Sequence, residues 1–355
     1  MKIRVVGETF AEKVLIWLGL VPAPLLETQM AYTLARTIML GVRSGVFEAL
    51  AEVPLPARAV ARRCETHEWA TGKLLDALAG AGYLRRREET YELTRSSRKW
   101  LLESSPHSLR DKLLLQFREW DWLGHYEEFL RTGTPLDMHR CLSGTEWPLY
   151  QKGLGSLARL YASEVARRTP VPDGARDLLD VGGALGHHAA ALCRRHPSLR
   201  AVVLDLPEAL AQAGRDRAGN DDGGPVSYRA GNVLHEDLGS EAWDVIFMSQ
   251  LAHHFDQATN RDLACRAARA LRPGGVFVVQ ELVRGGKKPG QTGGLLDLYF
   301  AATSRGGTWS IEEIADWQRR AGLTLMKPIR FRRAPGIAQQ AASRALSGRS
   351  VPPTP

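Results

Sequence analysis

The stretch LLDVGGALGHHAAALCRRHPSLRAVVLDLP, residues 178–207, decides the fold. Its first apolar run ends at Asp180 and Val181 and reads as a strand. A glycine turn follows at Gly182, Gly183 and Gly186. Then come an alanine-rich helix and a second apolar run, AVVLD, closed by Asp205. Strand, glycine turn, helix, strand and acid is the order that holds a nucleotide-type ligand at the edge of a parallel sheet.

The turn discriminates between ligands. A dinucleotide turn needs G-x-G-x-x-G. Counted from Gly182, those positions hold Gly182, Ala184 and His187, so two of the three fail. Asp180 would also repel a pyrophosphate. S-adenosylmethionine (SAM) makes other demands: it carries no phosphate, and its sulfonium and ammonium attract a nearby acid. The pattern acid-x-G-x-G-x-G falls on Asp180, Gly182, Ala184 and Gly186, with one glycine replaced by alanine. That alanine costs little at negative φ and is strained at positive φ. Asp205, followed by Leu206, stands where an acid accepts hydrogen bonds from both ribose hydroxyls. An unliganded structural turn and a different nucleotide are the alternatives at this stage.

Beyond the turn, VSYRA, WDVIFM and GVFVVQE are further short runs rich in branched residues, several separated by helical segments, which predicts an α/β parallel sheet. Ligands in such sheets lie beyond the carboxyl ends of the strands. FMSQLAHHFDQ places His253 and His254 at that edge, and Glu281 ends the neighbouring run. A histidine oriented by a carboxylate is a general base near neutral pH. We expect His253 in that role and His254 as a capping or core residue. Adjacent histidines do not share a helix face, and no HxxxH accompanies them, so no metal site is expected.

The N-terminal third is helical. Met39, Val42, Val46, Phe47 and Leu50 form one apolar stripe, ended by Pro54 and Pro56. Two more helical blocks and the hairpin YLRRREETYELT complete a winged-helix pattern. The helix that would enter a DNA groove carries one basic residue, Lys73, whereas base reading needs several polar side chains. A scaffold for dimerisation is the expectation, with no nucleic acid bound. In REWDWLGHYEEFLRTGTP, Trp120, Trp122, His125 and Tyr126 cluster. They read either as core packing or as the wall of an aromatic substrate pocket.

Composition narrows the class. The 355 residues are 44% hydrophobic and 24% charged, an ordinary globular balance. Four scattered cysteines without a CxxC pair fit a reducing cytoplasm. VLIWLGLVPAPLL is preceded by Glu8 and Glu12, cut by prolines, and shorter than the ~20 apolar residues of a membrane span, so neither a signal peptide nor a span is expected. Much of the formal charge of +8 lies after Lys327, a stretch without acids. A solvated tail over residues 336–355 is expected there.

Together, DVGGALG, LDLP, LAHHFD and VVQE resemble the motifs of the SAM-dependent small-molecule O-methyltransferases of the caffeic acid O-methyltransferase type and their bacterial relatives. The resemblance runs from about Ala31 to about Arg333. It implies an N-terminal dimerisation domain over residues 1–110, a helical linker and substrate-lining region over 111–172, and a Rossmann-like SAM-binding domain over 173–335. It implies a homodimer that methylates a hydroxyl of a small aromatic or polyketide-like metabolite. Gly182 then contacts the cofactor, Asp205 binds its ribose, and Asn232 and Val233 match the adenine-contacting pair. Ser249 replaces a lysine of the plant enzymes. His253 matches the base and Glu281 its partner, while Trp309 stands near the point where the plant enzymes place a second glutamate. LLDLYFAATS, with Asp297, Tyr299 and Phe300, corresponds to a substrate-lining helix. Carbon or nitrogen methylation, a SAM-bound enzyme that moves no methyl, and a winged-helix ligand-sensing DNA-binding regulator are the alternatives.

Overall fold

The computed structural model describes residues 5–211, 224–285 and 290–346. The chain divides into two compact units, residues 1–119 and 120–355.

The first unit holds α1 (Phe10–Trp17), α2 (Ala23–Arg43), α3 (Val46–Ala49), β1 (Leu55–Pro56), α4 (Ala57–Arg63), α5 (Glu68–Gly80), β2 (Leu84–Arg87), β3 (Thr90–Leu93) and α6 (Arg95–Trp100). The expected stripe is buried, with Phe47 and Leu50 at its centre, but Gly45 at φ 78° breaks it into α2 and α3. β2 and β3 form the expected hairpin, and β1 pairs on the other side of β3. Three strands packed on helices make this a winged-helix unit. α1 and α2 are largely uncovered: Phe10 and Trp17 are each 83% exposed, and Leu20, Leu25, Met30 and Tyr32 are exposed too. None of the described helices is long and apolar enough to cross a membrane.

α7 (Arg110–Leu123) runs across the division between the units. The second unit continues with α8 (Tyr126–Thr132), α9 (Trp147–Arg168), β4 (Asp177–Val181), α10 (His187–Arg195), β5 (Arg200–Asp205), α11 (Pro207–Ala211), β6 (Val226–Ala230) and β7 (Trp243–Ser249). After these come α12 (Gln257–Ala270), β8 (Leu271–Leu282), α13 (Gln291–Thr303), α14 (Ile311–Arg320), β9 (Thr324–Leu325), β10 (Ile329–Arg330) and β11 (Ile337–Ser343). The sheet order is β10-β11-β8-β7-β4-β5-β6, with β9 also on β11.

Strands β4 to β8 are parallel, and their apolar runs are buried on both faces. Leu179, Ile246 and Phe277 face α12 and α14, where Leu263, Ile314 and Trp317 complete one core. Leu178, Val245 and Val276 face α9 and α10, where Val165 and Leu192 complete the other. Consecutive residues in a strand point to opposite faces, so one unbroken apolar run feeds both cores. The strand order reverses at β4, which lies between β5 and β7, and this opens a crevice at the carboxyl ends of β4 and β7.

The tail expected over residues 336–355 is corrected in part. Residues 337–343 are β11, antiparallel to β8 and inside the sheet; residues 347–355 lie outside the described residues. Its alanines are small enough to pack on both faces, with Ala338 and Ala342 in one core and Ala341 in the other. Its Gln339 sits opposite Gln280, and the amide nitrogen donates to that side chain at 3.0 Å and to Thr169 Oγ1 at 2.8 Å, while Oε1 has no partner. Gln280 in turn donates to Ser249 Oγ at 2.8 Å.

Candidate active site

The glycine turn follows β4 at the reversal point. Gly182 and Gly186 take left-handed φ values of 67° and 74°. A Cβ on Gly182 would lie 2.9 Å from the Leu251 side chain, and one on Gly186 would lie 2.7 Å from Tyr228 Oη. Only glycine fits either position without a shift. Ala184 also has positive φ, 52°, so of the two cases set out from sequence the strained one holds. A non-glycine residue in this region costs roughly 1–2 kcal/mol. Ala184→Gly is therefore expected to raise stability in denaturant melts by up to about 1 kcal/mol, since the more flexible unfolded chain offsets part of the relief. Cofactor affinity, measured by calorimetry, should be unchanged or tighter. A large loss of affinity would contradict this reading of the turn.

Asp205 ends β5 and is fixed at both oxygens. It accepts from Ala184 N–H and from Leu206 N–H, each at 2.7 Å. Burial raises its pKa, and these two amides oppose the rise. Each carboxylate oxygen has a second lone pair for a further donor. Asp180 is 1% exposed, and its oxygens make no hydrogen bond of full geometry, the Ala189 amide being the nearby donor that acts on it. Burial, and then the neighbouring Asp205 charge, push its carboxyl up to about 7. A buried acid short of donors is unfavourable alone and favourable beside a cation. The glycine cradle, a pinned acid with spare acceptors and an acid short of donors together fit a cationic nucleoside such as SAM.

The segment after β7 carries the second half of the site. Ala252–His254 form one tight turn. His253 is 6% exposed, and its Nδ1 lies 2.9 Å from Glu281 Oε2. The other Glu281 oxygen accepts from Ala252 N–H at 2.7 Å, so the carboxylate is held at both ends. A carboxylate on Nδ1 selects the tautomer with its proton there and leaves Nε2 as the acceptor. Phe300 on α13 stacks on the His253 ring at 4.0 Å.

Sequence reasoning missed the groups that hold this turn. Asn260, 1% exposed, donates to the carbonyls of Ala252 and Phe255. Trp309, near the expected place of a second acid, instead donates its indole N–H to Ala252 O at 2.9 Å. Gly306 packs so closely that a Cβ would lie 2.3 Å from His253 O, and Gly307 N–H donates to that same oxygen. His254 bonds Ser304 Oγ through Nδ1 at 2.9 Å and touches both His253 and His139. His139 gave no sequence signal, being a lone histidine in a loop.

The remaining candidates are placed as follows. Asn232 Oδ1 accepts from Leu234 N–H at 3.0 Å, and Val233 belongs to the α12-side core. Ser249 ends β7 beside Gln280. Asp297 is committed to Thr308, accepting from its N–H and its hydroxyl at 2.6 Å each. Trp122 is 2% exposed, while Trp120 and Tyr126 are half-buried in α7 and α8.

With this geometry in hand, comparison places the chain among known proteins. The family model described as the O-methyltransferase domain matches residues 131–324, and that of the O-methyltransferase dimerisation domain matches residues 26–103. A 3-hydroxy-5-methyl-1-naphthoate 3-O-methyltransferase of Streptomyces sahachiroi is 28% identical over 319 residues, covering 87% of this chain and 92% of its own length. The tetracenomycin polyketide synthesis 8-O-methyl transferase of Streptomyces glaucescens is 27% identical, covering 85% and 91%. Human N-acetylserotonin methyltransferase in complex with SAM shares the fold, with a TM-score of 0.80 at 18% identity over 96% of this chain and 99% of that one.

Proposed function

Since the chain belongs to the O-methyltransferase family, we propose that it transfers a methyl group from SAM to a hydroxyl of a small aromatic or polyketide-like metabolite, with His253 as general base. The observation that carries the base assignment is the Glu281–His253 bond, which leaves Nε2 as the basic nitrogen. The two curated relatives described above act on a naphthoate and in tetracenomycin polyketide synthesis, which supports the acceptor class.

A phenol, with a pKa near ~10, is mostly protonated at neutral pH and is a weak nucleophile. His253 Nε2 removes its proton as the new bond forms, and the Glu281 carboxylate stabilises the resulting imidazolium. Phe300 keeps the ring from turning. Asp205 takes the ribose hydroxyls, Asp180 faces the cationic part, the Gly182–Gly186 turn admits the backbone closely, and Asn232, Val233, Leu206 and Ser249 border the same crevice. When bound, SAM supplies a methyl on a sulfonium, a good leaving group that needs no acid. Phe300, stacked on His253, supplies apolar wall for an acceptor, with the half-buried Trp120 and Tyr126 as further candidates, while Trp122 is buried in the packing. Asp297, committed to Thr308, steadies the loop after α13.

The test is direct. The protein incubated with SAM and a panel of phenolic metabolites should release S-adenosylhomocysteine and a product heavier by one methyl, attached to oxygen. Methylation only at carbon or nitrogen, or none, would overturn the reading.

Asp180 makes cofactor binding pH-dependent. Its carboxyl sits at about 7 in the free protein, far above the ordinary aspartate value of 3.8. Below that pH the free protein carries the proton, and a bound cation must displace it. SAM affinity is therefore expected to fall about tenfold per pH unit below neutrality and to level off above it. Titration calorimetry across this range checks it. Asp180→Asn should flatten the profile, and a wild-type affinity independent of pH would separate Asp180 from the cation.

The exposed apolar residues of α1 and α2 lie in and beside the matched dimerisation domain, and we assign them to self-association into a homodimer. Light scattering should give twice the mass of one chain. Helix α5 offers Lys73 as its one basic side chain, so the winged-helix unit serves dimerisation rather than DNA. The four cysteines are free thiols, which supports a cytoplasmic site of action.

A further inference from the structure

His139 lies between α8 and α9, and the reaction described above does not use it. The amides of Leu136 and Met138 donate to the carbonyls of Ala302 and Thr303, each at 2.9 Å. This segment is thereby stitched to the end of α13, the helix that carries Phe300. The stitch brings the His139 ring to 4.6 Å from the His254 ring, which lies 4.2 Å from the ring of the base, His253. Trp147 lies parallel to His139 at 5.8 Å, and Tyr150 Oη is 3.1 Å from its Nε2.

Three imidazoles therefore stand in a row, and only His253 has a carboxylate partner. Burial pulls His139 down to about 4, Asp137 pulling upward and His253 adding to the fall. Burial, His253 and His139 together hold His254 well below its ordinary value. Both side rings are neutral at working pH, and each offers one N–H and one lone pair. Tyr150 occupies one nitrogen of His139 and Ser304 one nitrogen of His254. Both residues are half-buried, and each ring keeps one nitrogen outside these two bonds.

We propose that His139 is a substrate-positioning residue: with Tyr150 and His254 it forms a neutral polar rim that hydrogen-bonds a second, uncharged oxygen of the acceptor, on the carbon next to the reacting hydroxyl. This rests on the hydroxyarene reading above. The rim begins at His254, whose ring lies 4.2 Å from that of His253, and continues to His139, 4.6 Å beyond it, so it follows the acceptor edge next to the reacting hydroxyl. Its neutrality suits a hydroxyl or carbonyl rather than a carboxylate. The acceptor class is then a vicinal diol of an arene, or a hydroxyaryl carbonyl, in preference to a simple phenol.

The test compares two acceptors, β-naphthol and the naphthalenediol with a second hydroxyl on the adjacent carbon. Wild type should prefer the diol. His139→Phe keeps the stack on Trp147 and removes the hydrogen bond. It should lower kcat/KM for the diol by ~10- to 100-fold, mainly through KM, and change β-naphthol by no more than about twofold. His139→Gln should restore part of the preference, and SAM affinity by calorimetry should match wild type in both variants. Equal losses on both acceptors, or a wild type without preference, overturn the positioning role while leaving the O-methyltransferase reading intact. A wild type that methylates neither arene but does methylate a simple phenol of the panel overturns the positioning role alone, and one that methylates no panel member removes both.

Discussion

His253→Ala should lower turnover by about a hundred- to ten-thousand-fold while SAM binds as before. The imidazole is the one group at this edge with a carboxylate on one nitrogen and the other nitrogen left basic. Without it, the acceptor proton has only water to go to. The defect should shrink as pH rises toward the acceptor's own pKa, because a preformed phenolate no longer needs a base. That rescue distinguishes a lost base from a distorted site. Since the Ala252–His254 turn is held by Asn260, Trp309 and Gly307 through backbone carbonyls, truncating the side chain should leave the turn in place. Full turnover in the variant, or a defect unchanged at high pH, would remove His253 from the chemistry.

Asp205→Asn should weaken SAM binding by roughly a hundred- to ten-thousand-fold. Two ribose hydroxyls donating to a carboxylate are worth ~1.5–3 kcal/mol each. Asparagine cannot imitate the carboxylate here. Both oxygens already accept an N–H at 2.7 Å, from Ala184 and from Leu206. An amide would turn its NH₂ toward one of these donors, so the glycine turn would lose an anchor as well as the ligand. Calorimetry reads the affinity, and a melt without cofactor reads the turn. An affinity within a fewfold of wild type would show that the ribose lies elsewhere.

Much of the architecture was legible because its signals are local. Residues 178–207 give strand, turn, helix and acid, and branched apolar runs mark strands buried on both faces. The hairpin in YLRRREETYELT forms as β2 and β3. The pairing of His253 with Glu281 was legible because Glu281 falls in one apolar run and His253 just after the neighbouring one. What escaped depends on partners distant in sequence. β11 reads IAQQAAS, with a single branched residue at its start and small or amide residues after it, and it is recognised as a strand only through its pairing with β8. Ala184 left its φ open, since alanine fits either case until the backbone is seen. His139 acquires meaning only through the stitch to Ala302 and Thr303. His254, expected to be a cap or core residue, lies between the rings of His253 and His139.

The amide stitch between Gln280 and Gln339 has a consequence for assembly. These residues are 59 positions apart, and Gln280 immediately precedes Glu281, the carboxylate bonded to His253. If β11 docked one residue out of step, its alanines would exchange faces and its glutamine amides would be enclosed without their partners. Each orphaned amide costs about 1–3 kcal/mol. Mis-docked sheets are therefore penalised before any ligand arrives. The stitch proofreads assembly, and a chain that passes has already set Glu281 beside His253.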